Sequence, residues 1–170
     1  MLAQRLPSIL PPMDAREMLD ISMIASLGGE LKDGQLTRRR PFRAPHHSAS
    51  MPALVGGGLR AKPGEMALAH HGVLFLDELL EFQPRVLEAL RQPMESGEAV
   101  VARANYHITY PACFQLITVM NHANAVWLVN LAIPAGKAHV VQQIINSAFQ
   151  GLCLTGWICR LNYQLCAPRI

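Results

Sequence analysis

Residues 70–82 read HHGVLFLDELLEF. Four apolar residues, Val73-Leu74-Phe75-Leu76, run directly into the acidic pair Asp77-Glu78. A short unbroken apolar run suits a strand buried on both faces, as parallel strands between two helix layers are. In open α/β sheets ligands sit outside the carboxyl ends of the strands, where Asp77 and Glu78 fall. The pattern suits phosphoryl transfer, with Asp77 holding Mg²⁺ through its water shell and Glu78 orienting or polarising an attacking water. Those are positioning and electrostatic roles, which such transition states chiefly require. Without that chemistry, the same residues describe a buried strand ending in two solvated acids ahead of a helix.

Outward from this strand, the neighbouring segments also read as α/β. Upstream, Leu2 to Leu10 predicts a short helix stopped by Pro11-Pro12. Asp14 and Glu17 form a capping-box pair, which starts a second helix ending at Gly28-Gly29. Residues 32–65 read as a long loop, carrying Arg38-Arg39-Arg40, Arg43 and Gly56-Gly57-Gly58. A loop this long inside a domain is commonly functional or an insertion. Downstream, Pro84 opens a helix running to about Glu95, with Val86, Leu87, Leu90 and Met94 inward. Ala99–Ala102 and His107–Tyr110 read as a hairpin, and Phe114–Val119 as a further buried strand ending near Asn121. Asn121 would then stand beside the acidic pair, touching the attacking water or the terminal phosphate.

A nucleotide site also needs a glycine-rich loop with a lysine, and the 170 residues contain no GxxxxGK-Ser/Thr segment. Gly56-Gly57-Gly58 lacks the lysine and reads as a flexible turn. The arginine cluster could meet phosphate or DNA, or form a solvated basic loop. His46-His47 and His70-His71 suggest a metal only weakly, because adjacent residues on a strand face opposite ways and no third ligand is evident in sequence. Cys113 reads as a core residue, since nothing marks a partner base.

Composition bounds these readings. With 51% hydrophobic and 16% charged residues the chain is of globular type, and a net charge of +3 does not by itself argue for nucleic acid. No stretch reaches the ~20 apolar residues that span a bilayer. The first residues make a poor signal peptide, and four cysteines without paired spacing suggest neither disulfides nor zinc. A cytoplasmic protein without a membrane partner is the expectation. Composition also changes along the chain. All 12 acidic residues precede residue 122, whereas residues 122–170 carry only Lys137, Arg160 and Arg169 as charges. Folded domains mix both signs over their surface, so residue 122 marks a seam.

The segment RPFRAPHHSASMPALVGGGLRAKPGEMALAHHGVLFLDELLEFQPRVLEALRQPMESGEAVVARA, followed by FQLITVMN, resembles the AAA+ ATPase core of the magnesium-chelatase-like proteins, most closely the YifB/ComM branch. The likeness covers Met1 to Asn121 and implies an α/β fold: a partial P-loop NTPase core with parallel strands and flanking helices. It implies that Asp77 and Glu78 are the Walker B pair and Asn121 the sensor 1 residue. Residues 38–65 would be a helix-2 insert and Ala99–Tyr110 the hairpin before sensor 1. ATP and Mg²⁺ are then the cofactors, and a ring of like subunits and DNA the partners, since this branch is associated with ATP-driven branch migration of DNA.

Two departures follow from the same resemblance. In the family, a segment like MLAQRLPSILPPM directly follows the phosphate loop, so the loop and the strand before it would lie ahead of Met1. After the sensor asparagine the family continues with an NPCxCG turn and later a segment like SGPLLDRIDL, which supplies the arginine finger. Neither occurs here. Both reappear in one shifted reading frame: His122–Trp127 re-reads as PCQCGL, and the residues from Phe149 re-read as SGPLSDRMDLQIELS. The loss of one base after codon 121 explains both, and residues 122–170 are then expected to be an out-of-frame, poorly ordered tail. On this view the chain is a fragment of a Mg²⁺-dependent ATPase, inactive alone. The alternative is a non-catalytic module that docks onto AAA+ rings.

Overall fold

The computed structural model describes residues 2–31, 34–57, 61–103, 106–122 and 125–131; the side chains from residue 120 onward lie outside that description. Leu2–Ile9 forms a 3-10 helix with Pro7 inside it. Proline cannot donate to an α-helical ladder, and Pro11-Pro12 end the turn. Helix α1, Ala15–Gly28, begins as the capping box predicts. The Glu17 N–H donates to Asp14 Oδ1 at 2.7 Å, and the Asp14 N–H donates to Glu17 Oε2 at 3.2 Å. Gly29 closes α1 at φ +79°, a left-handed cap that glycine adopts without a Cβ penalty.

Residues 32–65 are not the plain loop expected from sequence. They hold strand β1, Phe42–Arg43, helix α2, Met51–Val55, and a two-residue ribbon of β2, Gly56–Gly57, with β3, Lys62–Pro63. Helix α3, Glu65–Leu68, follows. Elements of two to five residues are too short to display a hydrophobic period, so only their tertiary pairing reveals them.

Strand β4 is Val73–Leu76, and all four of its residues are buried. The helix predicted from Pro84 to Glu95 is broken into α4, Pro84–Glu88, and α5, Arg91–Ser96. Pro93 has no N–H for the Ala89 carbonyl, and its ring crowds that carbonyl, so the chain tightens at Ala89-Leu90. Strands β5, Glu98–Arg103, and β6, Tyr106–Pro111, form the expected hairpin, with Ala99 opposite Tyr110 and Ala102 opposite His107. The turn expected at Ala104-Asn105 lies outside the described residues.

Strand β7, Gln115–His122, and strand β8, Ala125–Leu131, complete a sheet of order β1-β4-β7-β8. The first three strands are parallel, with Phe42 beside Val73 and Leu76 beside Thr118. Strand β8 runs antiparallel to β7, pairing His122 with Ala125 and Asn121 with Val126. Within the stretch expected to be poorly ordered, Ala125–Leu131 thus pairs as a strand, and residues 132–170 lie outside the described residues.

Side chains on a strand alternate between faces, and β4 sends its residues into two separate cores. Leu74 and Leu76 join Leu54, Met66, Leu79, Phe82, Val86, Leu87 and Leu90 on the face covered by α2 to α4. Val73 and Phe75 pack with Ile117, Leu6, Leu10 and Phe42 on the other. The Phe42 and Phe75 rings stack at 5.9 Å. An apolar run without alternation is what a doubly covered central strand requires. The fold is therefore α/β, with a parallel three-stranded core and helices on both faces. No described helix is long and apolar enough to cross a membrane.

Candidate functional site

At the carboxyl end of β4 the chain turns sharply. Glu78 takes the left-handed conformation, φ +53°, ψ +52°, and its N–H donates to Asp77 Oδ1 at 3.0 Å. A left-handed residue that is not glycine costs on the order of 1–2 kcal/mol. The turn sends Leu79 into the core, where it is 4% exposed, while the Glu78 side chain stays 48% exposed. The two acids of the sequence motif therefore stand together at the sheet's carboxyl edge. Asn121 is the penultimate residue of the neighbouring β7, three positions past Thr118, which pairs with Leu76. The recorded pairing of β4 with β7 ends at Leu76 and Thr118, and the Asn121 side chain lies outside the described ones.

A further residue joins the pair from the loop after β1. His47 Nδ1 lies 3.3 Å from Glu78 Oε2. Its ring rests against that of His46, centroids 4.0 Å apart. Sequence reasoning weighed this histidine only as a metal ligand and missed the contact. A separation of 31 positions, spanning α2, the β2–β3 ribbon, α3 and β4, leaves no local signal for it.

The other candidate groups resolve into structure. Arg40 is almost wholly buried and bonds both Glu17 carboxylate oxygens, at 3.3 and 3.0 Å. It also donates to the carbonyls of Pro11, at 2.9 Å, and His71, at 2.7 Å. Arg43 reaches Glu65 with two nitrogens and Glu30 with two bonds of 2.9 and 3.1 Å. The hydrogen bond and charge of Glu65 outweigh burial and hold Arg43 above the usual guanidinium range. Two of the four clustered arginines thus tie α1 and α3 to the sheet. Only Arg38 and Arg39 of the cluster stay exposed.

His70 and His71 depart from the sequence argument about adjacent histidines. They lie in a turn, with His71 at φ +56°, so their rings meet at 3.9 Å. Asp20 of α1 supplies a third candidate ligand, all three ligand atoms lying within 4.8 Å of one another. The hydrogen bonding argues against a metal there. His70 Nδ1 accepts the Cys113 N–H at 3.0 Å, so a neutral ring carries its proton on Nε2 and offers no lone pair to an ion. Burial, then the charge of His71, pushes His70 down to about 3. Cys113 sits half-buried with Sγ 3.7 Å from the Gly97 carbonyl, a packing position as expected.

The donor set at the end of β4 fits a hydrated Mg²⁺. The ion retains several waters and needs only one or two carboxylates from a protein, and Asp77 is a partly exposed carboxylate at a strand end. The GxxxxGK-Ser/Thr sequence of a phosphate-cradling loop does not occur in the 170 residues.

Residues 1–144 match the family described as magnesium chelatase, subunit ChlI. Competence protein ComM of Haemophilus influenzae is 56% identical over 121 residues, which is 71% of this chain and 24% of that protein. Protein YifB of Escherichia coli is 52% identical over 121 residues, with the same 71% and 24% shares. The chain therefore spans about a quarter of the length of these relatives. Among solved structures, the complex of magnesium chelatase subunits BchI and BchD matches with a TM-score of 0.51 and 20% identity, covering 85% of this chain and 53% of that one. That likeness concerns the fold alone, and it agrees with the parallel sheet and its two helix layers. By sequence, the chain belongs to the magnesium chelatase subunit ChlI family, in its ComM/YifB-like branch.

Proposed function

We propose that residues 1–121 are the magnesium- and water-handling half of an ATP site in a AAA+ motor acting on DNA, and that this polypeptide alone does not turn over ATP. The carrying observation is the Asp77-Glu78 pair at the carboxyl end of the fully buried β4. Mg²⁺ with ATP would supply charge neutralisation on the transferred phosphate. Asp77 would hold the ion's water shell, Glu78 would orient the attacking water, and Asn121 would position that water from β7. DNA, the ring of like subunits and a cytoplasmic location rest on the resemblance to the ComM/YifB branch. Purified chain with Mg²⁺ and ATP should release no phosphate above background, because its 170 residues contain no GxxxxGK-Ser/Thr segment to grip the β and γ phosphates. Turnover that Glu78→Gln abolishes would overturn that claim.

A second reading, a non-catalytic module docking onto rings of a longer relative, is favoured by the surface of α1. Leu19, Met23 and Leu27 are 49%, 51% and 59% exposed and recur every four residues along one face. Co-purification with such a relative, lost in Leu19→Glu/Met23→Glu, would support it.

The reading of residues 122–170 as an out-of-frame tail rests on the missing acids and on the two family motifs that reappear in one shifted frame. The family match runs to residue 144, past that seam. The gene's nucleotide sequence decides: one base restored after codon 121 should open the family's frame through both motifs, and a frame that stays closed rejects the reading.

A further inference from the structure

Two small antiparallel pairs stand apart from the main sheet: the β2–β3 ribbon and the β5–β6 hairpin. An isolated two-stranded pair is marginal in water, so each needs packing from outside itself. A third core, beside the two served by β4, supplies that packing to both. It gathers Ala61, next to the ribbon, and Val101 and Tyr110 of the hairpin with Ile24 of α1 and Ala67 of α3. Within it the Tyr110 hydroxyl donates to the Ala61 carbonyl at 2.6 Å, a buried bond across 49 positions of chain. We infer that ribbon and hairpin form one mechanical unit, latched by the Tyr110 hydroxyl on the Ala61 carbonyl.

Both ends of the latch are specified. Burial raises Tyr110 above the ordinary phenol range, so the hydroxyl keeps its proton and donates. Ala61 is 2% exposed, and a buried carbonyl without a donor is costly. Its φ of +45° is left-handed, which alanine adopts only where surrounding bonds hold it. The ribbon's other strand abuts the hairpin as well. Gly56, at φ +111°, lies so close that a Cβ there would stand 3.2 Å from Val101 Cγ2. Contacts at both strands thus tie the ribbon to the hairpin. The two pairs lead into different strands of the candidate site. The ribbon runs through α3 into β4, which ends at Asp77-Glu78, and the hairpin runs from Pro111 into β7, which carries Asn121. A load on either pair is therefore shared between the two strands that carry the proposed ATP half-site. That consequence rests on the ATP reading of those residues; the latch itself does not.

The test is amide hydrogen exchange of the ¹⁵N-labelled 170-residue chain, followed residue by residue. Tyr110→Phe keeps the ring in the core and removes only the hydroxyl. It should speed exchange at Gly57 and Lys62 of the ribbon about tenfold, while Val73 and Phe75 of β4 hold their rates. Thr109→Gly supplies the coupling readout. Thr109 is exposed and, next to Tyr110 on β6, faces the other way, so its loss loosens the hairpin from the side away from that core. With the hydroxyl present, Thr109→Gly should speed the ribbon amides and those of Val100 and Val101 together, about fivefold. In a Tyr110→Phe background the same change should reach the hairpin alone. Ribbon amides indifferent to Thr109→Gly while the hydroxyl is present overturn the inference. So does a Tyr110→Phe chain whose β4 amides speed up as much as the ribbon's, because the hydroxyl would then support the whole fold. No nucleotide enters this measurement. Failure of the ATP reading would appear in assays with Mg²⁺ and ATP while the exchange pattern stays as stated, so the two failures are distinguishable.

Discussion

Arg40 shows how much of this molecule's order depends on single polar side chains. Its guanidinium satisfies two carbonyls and one carboxylate from three separate segments. Removing one partner of a buried ion pair leaves the other charge and the carbonyls unmet, which typically costs about 3–5 kcal/mol. Arg40→Ala is expected to lose about that much in urea unfolding, discounted toward the lower figure because Glu17 keeps some solvent. Arg40→Lys should recover only part, since a lysine cannot fork two carboxylate oxygens. His70 sets a second expectation, in pH. Its folded pKa is depressed to about 3 by burial and by His71, whereas an unfolded histidine titrates near 6.5. The unfolded chain therefore binds the extra proton as pH falls, and stability present above about 6.5 is lost between there and about 3. The slope from this one group approaches about 1.4 kcal/mol per pH unit. His70→Gln should flatten that acid limb in denaturation midpoints measured across pH. At this scale the sequence marked Asp77 and Glu78 as candidates, because an unbroken apolar run places the acids after it at a strand's carboxyl end, where the structure has them. It hid Arg40 and His47, which look like members of a basic run and a histidine pair until the fold brings their partners to them.

The elements differ in how openly they announce themselves. Strand β4 and the capping box of α1 are stated in local chemistry: a doubly apolar run, and two side chains that satisfy each other's backbone. Strand β1 has no such signature. Two residues long, it exists because Val73 N–H donates to the Pro41 carbonyl at 2.9 Å and β4 offers it an edge. The single predicted helix over 84–95 failed at Pro93, where a helical period in the apolar residues concealed a missing donor. The β1–β4 junction also supplies a test. A Cβ on Gly72 would run into the Pro41 carbonyl and its neighbouring ring atoms, so the two strands can approach only across a glycine. Gly72→Ala should cost about 2 kcal/mol or more. It should speed amide exchange at Val73 and Phe75 ahead of the β5–β6 hairpin, whose ladder is separate from this sheet. Equal acceleration in both would mean that the junction is not where the strain falls.

For the whole molecule, the central claim is that this stretch of a ChlI-family protein is half of a catalytic site: the end that handles magnesium and water. Its parallel sheet brings the acidic pair and the Asn121 strand side by side, and the chain spans about a quarter of its relatives' length. The most direct measurement restores the remainder. Residues 1–121 would replace the matching segment of the Haemophilus influenzae relative, to which the chain is 56% identical over 121 residues, and ATP turnover of the chimera would be followed with and without Mg²⁺. The account predicts Mg²⁺-dependent turnover close to the parent's. Glu78→Gln should reduce it about 100-fold or more while nucleotide stays bound, and Asp77→Asn should raise the Mg²⁺ needed. A chimera that hydrolyses ATP equally well with Glu78→Gln would contradict it.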